Sequence, residues 1–267
     1  KIVITSAKPQ TTRHAVRGVL TRSDAQLILV DTPGLHRPRT LLGERLNDVV
    51  RSALAEVDVV GFCVPADQKI GPGDRYIAAV LADLRAPVVG IVTKIDTVSR
   101  DQIAAQLVAL SELGEFADLV PVSATARTQV DVLADVLVGH LPRGPRLYPG
   151  DVTTDNDTPT RIAELIREAC LDGVRDELPH SIAVTVEEMR LREDRSDLTE
   201  IFATIHLERS SQKGILIGTK GARLKRIGTT ARAGIEELIG MRVHLDLHVA
   251  VESDWQRDPK KLDRLGF

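Results

Sequence analysis

Three short polar runs each follow an apolar run in the first half of this 267-residue sequence. Asp31-Thr32-Pro33-Gly34 follows "LILV", Thr93-Lys94-Ile95-Asp96 follows "VVGIV", and Ser123-Ala124 follows "LVPV". If the apolar runs are strands of one parallel sheet, all three polar runs sit at carboxyl ends, where open α/β sheets bind ligands. The residue types suit a nucleotide. Asp31 can hold a Mg²⁺ shell, through water, because that ion prefers hard oxygens and keeps several waters. Gly34 lets a backbone N–H approach a terminal phosphate with no side chain in the way. Asp96 can accept from the N1–H and the exocyclic amine of guanine; adenine would leave that carboxylate facing an acceptor. Lys94 can lie along the nucleotide face, and the Ala124 N–H can meet guanine O6. Each run alone is a weak signal, and their shared position carries the argument.

A second chemistry lies near the other end. "ILIGTKGARLKRIG" (215–228) places Gly218-Thr219-Lys220-Gly221 between two helical patterns. Two glycines around small or basic residues let the backbone come close to a nucleic-acid strand, and the following helix N-terminus favours phosphate. Lys213, Lys220, Arg223, Lys225, Arg226 and Arg232 fall within twenty residues that hold no acid. In a chain of net charge -3 that is a local patch. No aromatic residue lies near it, so bases are expected to rest on Ile215, Leu216, Ile217 and Leu224.

The elements that must position these residues differ between the halves. The apolar runs 14–21 and 25–31 flank Ser23 and Asp24 and predict a hairpin. Runs 57–64, 87–92 and 119–123 are near-continuous hydrophobic stretches, as in strands covered on both faces. Helical patterns at about 41–55, 73–84, 101–113 and 130–141 alternate with them, which gives a doubly wound α/β sheet. Residues 143–158 are rich in Pro, Gly, Asp and Thr without periodicity and read as a linker. Beyond it come a helix (160–177), strands (181–191 and 198–208), two helices around the glycine turn (211–239) and a last strand (242–251). That α–β–β–α–α–β order marks a separate α+β domain. The expected domains are therefore 1–142 and 159–267. Trp255 and the basic tail 259–267 are expected to cap the second core.

Bulk properties exclude several classes. Charged residues are 27% and aromatics 3%, so the chain is neither disordered nor globally basic, and its cores must be aliphatic. No apolar run approaches the roughly 18 residues that span a bilayer, and the start shows no signal-peptide pattern. Cys63 and Cys170 each sit in an apolar segment and are expected as buried thiols in a reducing cytosol. The seven histidines lack metal spacing; His206, His244 and His248 fall in strand patterns and are expected to be structural. No Ser-His-Asp or Cys-His constellation emerges.

Taken together, "ITSAKPQTTRH" (4–14), "VDTPGLHRP" (30–38), "ELPHSIAVTVEE" (177–188) and "IGTKGARLKRIG" (217–228) resemble a translation-factor-class GTPase, and more narrowly the Era family of bacterial GTPases. The resemblance implies a P-loop GTPase-like, mostly parallel sheet followed by a type II KH domain. It implies GTP/GDP and Mg²⁺ as ligands, binding to the 3′ end of small-subunit rRNA, and a role in assembly of the small ribosomal subunit. It also implies a cytoplasmic protein with weak peripheral association at the inner face of the membrane; a monomer is expected. By position, "QTTR" (10–13) becomes the switch loop whose Thr11 or Thr12 senses Mg²⁺ and the γ-phosphate. Asp31, Thr32, Pro33, Gly34 and Leu35 would line the phosphate side, with a second switch running from Leu35 to about Asn47. Lys213 and residues Gly218 to Gly221, with Arg223, Lys225 and Arg226, would meet RNA.

Three departures matter. No G-x-x-x-x-G-K-[ST] phosphate loop occurs in the sequence, and the sheet would lack a central strand; about 30 upstream residues are expected to supply both. Thr93 stands where the family has Asn, and a hydroxyl replaces only some of the amide's bonds. Leu35 stands where many regulatory GTPases carry a water-orienting Gln, so no catalytic side chain is assigned. Slow intrinsic hydrolysis stimulated by K⁺ or RNA is expected. The alternative is a nucleotide-free RNA-binding adaptor built on a remnant sheet.

Overall fold

The computed structural model describes residues 1–6, 8, 11–173 and 181–267. The start of the "ELPH" stretch, 177–180, and Gln10 of the switch loop lie outside the described residues. Two compact units form: Lys1–Gly18 with Leu29–Val49 and Thr153–Phe267, and Val19–Ile28 with Val50–Val152. This division differs from the change in sequence character after Pro142, because Lys1–Gly18 and Leu29–Val49 pack with the C-terminal residues.

β1 (Val16–Thr21) and β2 (Gln26–Asp31) form a two-stranded ribbon. Its turn closes with Arg22 N–H donating to Ala25 O at 2.8 Å, as the turn residues require. β2 pairs only with β1 among the described residues. After it, α1 (Leu41–Glu56) starts behind Thr40, whose hydroxyl accepts from Gly43 N at 3.2 Å.

The second unit holds the parallel sheet β3-β4-β5: β3 (Val60–Pro65), β4 (Val88–Thr93) and β5 (Asp118–Pro121). Its connecting helices are α2 (Pro72–Leu81), α3 (Arg100–Ser111) and α4 (Val130–Gly139). The alternation of β4 explains the doubly wound arrangement. Val88 and Val92 pack with Leu81 of α2 and Leu110 of α3, whereas Val89 and Ile91 pack with Leu137 of α4. Each such buried aliphatic chain contributes about 1.5–3 kcal/mol. Gly90 leaves room for its neighbours: a Cβ there would lie 2.5 Å from Leu119 Cδ2 and 3.0 Å from Leu110 Cδ2, so both leucine ends would have to move. The 143–157 segment forms no regular element, yet Gln26 fixes it, its Oε1 accepting from Leu147 N and Tyr148 N, both at 2.9 Å. Cys63 corrects an expectation: it is exposed, since alternate β3 residues face outward; Cys170 is buried, and burial pushes its thiol up to about 12.

In the first unit, α5 (Thr158–Leu171), β6 (Ala183–Arg192), β7 (Arg195–Leu207), α6 (Ser210–Ile217), α7 (Ala222–Ile239) and β8 (Arg242–Val251) follow in the expected order. The sheet runs β6-β7-β8, antiparallel then parallel. Its core joins Ile162 and Ile166 of α5, Ile201 and Ile205 of β7, and Ile227 and Ile235 of α7. β8 is an edge strand. After it, Trp255 is fully buried and packs with Leu262 of α8 (Pro259–Arg264), Leu265, and Leu42 and Leu46 of α1. Its indole N–H donates to Ser181 O at 3.3 Å, which satisfies the ring's one polar group.

Candidate nucleotide site and nucleic-acid interface

At the carboxyl end of β2 the structure separates two threonines that sequence left equivalent. Thr12 Oγ1 donates to Asp31 Oδ2 at 2.9 Å, whereas Thr11 Oγ1 donates to Lys8 O at 2.8 Å. Desolvation raises the Asp31 pKa, against the opposing effect of the Thr12 hydrogen bond. Pro33 is buried and shapes the turn. Gly34 has a negative or extended φ, and nothing lies within 4 Å of where its Cβ would be. Neither packing nor backbone strain therefore demands glycine there.

The loop beyond is held by Asn47, a buried amide in α1. It donates from Nδ2 to His36 O at 2.8 Å and accepts weakly from His36 N at 3.4 Å. Arg45 of the same helix donates to Asp263 Oδ1 at 2.6 Å and to the Phe267 carbonyl. Residues 11–14 are gripped in the same way. Arg13 is buried, donates to Ile182 O at 2.6 Å, and lies 5.9 Å over Trp255 and 6.0 Å over Phe267. Burial first, then the neighbouring Arg167, pushes the Arg13 pKa down to about 9. His14 stacks on Phe267 at 5.1 Å, and Arg167 of α5 donates to the Thr11 carbonyl. Sequence reasoning missed this clamp; the only signal was a lone Arg-His pair after the threonines and an aromatic terminus.

In the second unit, the ends of β3, β4 and β5 come together because the strands are parallel. Ala66 N donates to Thr93 O at 2.8 Å, and Thr93 Oγ1 reaches Val64 O at 3.4 Å. Thr93 thus ties β4 to β3. Lys94 adopts the left-handed conformation at φ 57°, turning Asp96 into an exposed position while its own Nζ lies 3.6 Å from Asp67 Oδ2. Ser123 is fully buried and its Oγ accepts from Ala126 N at 3.0 Å, which places Ala124 at the surface. Ser123 is therefore a loop former and the Ala124 backbone is the accessible group.

The glycine turn separates α6 from α7. Gly218 has φ 72° and ψ 176°, Lys220 φ 49° and Gly221 φ 77°. The turn is closed by Gly221 N donating to Gly218 O at 3.2 Å. Beside it runs a groove of about 470 Å³ between α7 and the edge strand β8, lined by Leu224, Lys225, Gly228 and Arg232 on one side and Leu245 and Leu247 on the other. Lys220, Lys225 and Arg226 are exposed, and Lys213 is half-buried.

Two expectations are corrected here. Leu216 is fully buried in the core and cannot meet a base; Ile215 is exposed, and Ile217 and Leu224 are partly covered. Arg223 is turned inward, donating from Nη2 to Asp172 O at 2.8 Å, so its guanidinium does not project with the other positive charges. The β8 leucines were missed, though the alternation of Val243, Leu245, Leu247 and Val249 could have marked them.

Comparison with known proteins bears on both sites. A family model described as a 50S ribosome-binding GTPase matches residues 1–94, and a KH domain model matches residues 177–256. GTPase Era of Streptomyces coelicolor is 62% identical over 100% of this chain and 87% of its own length. GTPase Era of Mycolicibacterium smegmatis is 58% identical over 100% of this chain and 90% of its own. A crystal structure of Era in complex with MgGDPNP and nucleotides 1506–1542 of 16S ribosomal RNA superposes with a TM-score of 0.96 at 33% identity, covering 100% of this chain and 90% of that one. An Aquifex aeolicus Era variant bound to GDP and aluminium fluoride gives 0.95 at 33% identity with the same coverage. With a strand-end Asp–Thr pair, a left-handed turn after β4 and a glycine turn beside a groove, all on a chain this close to those relatives, the protein belongs to the Era family of GTPases.

Proposed function

We propose that this chain is a GTP-hydrolysing switch that binds the 3′ end of small-subunit rRNA through its KH groove and acts in assembly of the small ribosomal subunit. The observation that carries the nucleotide half is the Thr12–Asp31 hydrogen bond. It brings a switch-loop hydroxyl and a strand-end carboxylate, both hard-oxygen donors, to one point. These residues fit Mg²⁺, with Thr12 as direct ligand and Asp31 acting through water. Bound there, Mg²⁺ would neutralise charge on the β- and γ-phosphate oxygens. Thr11 spends its hydroxyl on Lys8 and is not the ligand. The open space at Gly34 suits approach of the γ-phosphate to its N–H. Thr32 and the buried Pro33 set that turn.

Asp96 selects guanine, Lys94 covers the nucleotide face, and Ala124 N–H meets O6, while Thr93 and Ser123 shape the two loops. Leu35 has no polar atom with which to orient water. Hydrolysis by water at the γ-phosphorus is therefore slow until K⁺ or RNA supplies the missing group. Residues 1–142 form the GTPase part, 143–158 the linker, and 159–267 the KH part. In that part Gly218 to Gly221 clamp about four single-stranded nucleotides, supported by Lys213, Lys225 and Arg226. The protein acts as a cytoplasmic monomer with weak peripheral contact at the inner face of the membrane. No described helix is long and apolar enough to cross one.

Titration of Mg-GDP with ATP as competitor tests this reading. GDP binding that ATP leaves in place is expected; equal displacement by ATP, or no GDP binding, would overturn it.

A further inference from the structure

The six positive charges around the glycine turn are not equivalent. Lys220, Lys225 and Arg226 are exposed. Arg223 instead directs Nη2 to Asp172 O at 2.8 Å and Nη1 towards Gly173 O at 3.4 Å, in the turn that ends α5. Its Nε is buried and has no partner among the described residues. On the other side Arg223 meets the turn itself. Gly218 sits at φ 72° and ψ 176°, a conformation nearly reserved for glycine. A Cβ there would lie 2.7 Å from Arg223 Cβ and 3.1 Å from Arg223 N. The first glycine of the turn therefore folds directly onto the backbone of Arg223, while the side chain of that residue anchors to α5.

We propose that Arg223 is a positioning residue. It braces the Gly218–Gly221 turn against the end of α5 and holds the clamp in its RNA-binding shape without touching phosphate. The proposal rests on the reading of that turn as the RNA clamp. Helix α7 begins at Ala222, immediately after the turn; Leu224 seats its first turn on the core, and Arg223, beside it, ties that turn to the end of α5, where Arg226 also comes within 4.0 Å of the Asp172 carboxylate. A guanidinium fits this task because its fork can reach two successive carbonyls. Those carbonyls lie just past the last helical residue of α5, where no further helical turn supplies donors.

Salt dependence separates a brace from a phosphate contact. Binding of a single-stranded RNA oligonucleotide with the small-subunit rRNA 3′-terminal sequence is measured across a KCl series for the wild-type chain and four variants. Loss of one phosphate contact lowers the log–log salt slope by about 0.7 on single strands. K220A is expected to show that loss. R223M, which lacks any donor, is expected to bind about tenfold more weakly, the loss of one charge-assisted bond, with the wild-type slope. R223Q keeps an amide donor without the charge, and is expected to stay within about threefold of wild type, again with the slope intact. Thermal unfolding of each variant accompanies the binding data; if R223M is unfolded, the R223Q slope decides. A slope reduced in R223Q to the K220A value, or an R223M variant that is folded and binds like wild type, would overturn the brace. G221D reports separately on the clamp: unaltered RNA binding in that variant removes the reading on which the proposal stands, whatever Arg223 does.

Discussion

At Asp96 and Thr12 the proposed nucleotide site can be tested one side chain at a time. The Asp96 carboxylate is acceptor-only and matches the two donors of guanine; an amide offers one donor and one acceptor, which matches xanthine, whose C2 carries oxygen. D96N is therefore expected to weaken GDP binding by at least about a hundredfold, as happens when a site matched to a ligand's hydrogen-bond donors loses that match, and to gain xanthosine diphosphate binding; competition titration reads both. Thr12 and Thr11 give an internal comparison. T12A should lose most Mg²⁺-dependent hydrolysis while keeping GDP affinity, and T11A should keep both, since only Thr12 bonds Asp31. Equal loss in the two variants would count against the assignment. His206 supplies a pH effect. The Thr185 hydroxyl gives its hydrogen to Glu187 Oε1 at 2.5 Å, so the 2.8 Å contact with His206 Nε2 requires Nε2–H to donate. Nδ1 is then a buried acceptor with no partner among the described residues, and burial lowers the His206 pKa, against the pull of Glu252 and Glu187. The folded state binds its proton at lower pH than the unfolded chain, so stability is lost as pH falls below about 6.5. His14 is shifted the same way by burial. Urea unfolding between pH 7.5 and 5 should show a shallower acid-side loss in H206Q than in wild type; identical slopes would remove His206 as a cause.

At the scale of elements, close approach decides what sequence periodicity leaves open. β4 can sit between β3 and β5 only because Gly90 admits Leu119 and Leu110. G90A should cost about 1–3 kcal/mol by overpacking, read as a lower denaturation midpoint with an unchanged denaturant slope. The β4–Thr93 turn gains its shape from Lys94 in the left-handed region, a conformation that costs a non-glycine residue free energy and that clusters at functional loops. The same holds at Lys220 inside the glycine turn. Both lysines lie in the two runs singled out for chemistry, one for nucleotide and one for RNA.

At the scale of the whole molecule, the first unit draws together residues far apart in the chain. Arg13 and His14 before β1, Leu42 and Arg45 of α1, and Trp255 and Phe267 of the C-terminal segment share one cluster. Phe267 stacks on Trp255 at 5.5 Å and on His14 at 5.1 Å, so its ring is shared between the C-terminal segment and the chain before β1. F267A is expected to destabilise the chain by about 2 kcal/mol, less than a fully buried Phe would because the ring is half-exposed. It should also raise protease cleavage near Arg13. Unchanged cleavage would mean that the ring does not hold the loop. GTP turnover is also a property of the complete protein. Faster hydrolysis in K⁺ than in Na⁺, or on RNA addition, is expected from the apolar Leu35; equal rates in all four conditions would refute it.

Local chemistry was legible in the sequence: strand ends announce themselves by an apolar run broken by Asp, Gly or Ser, and a glycine turn between helices by its spacing. Those signals lie within a few residues, so the order of elements and the parallel sheet could be read directly, and the residues of the two proposed sites could be nominated. The pairing of Thr12 and not Thr11 with Asp31 could not, because adjacent hydroxyls have the same composition and differ only in direction. Nor could the inward turn of Arg223, whose charge looks like its neighbours' until the end of α5 is placed beside it. The burial of Leu216, the exposure of Cys63 and the aromatic clamp on Arg13 belong to the same class. Sequence determined which groups are available and near each other along the chain. Tertiary structure decided which way each one faces, because burial and hydrogen-bond partners come from other elements: Asp31 lies 19 residues from Thr12, Asp172 51 from Arg223, and Ile182 169 from Arg13.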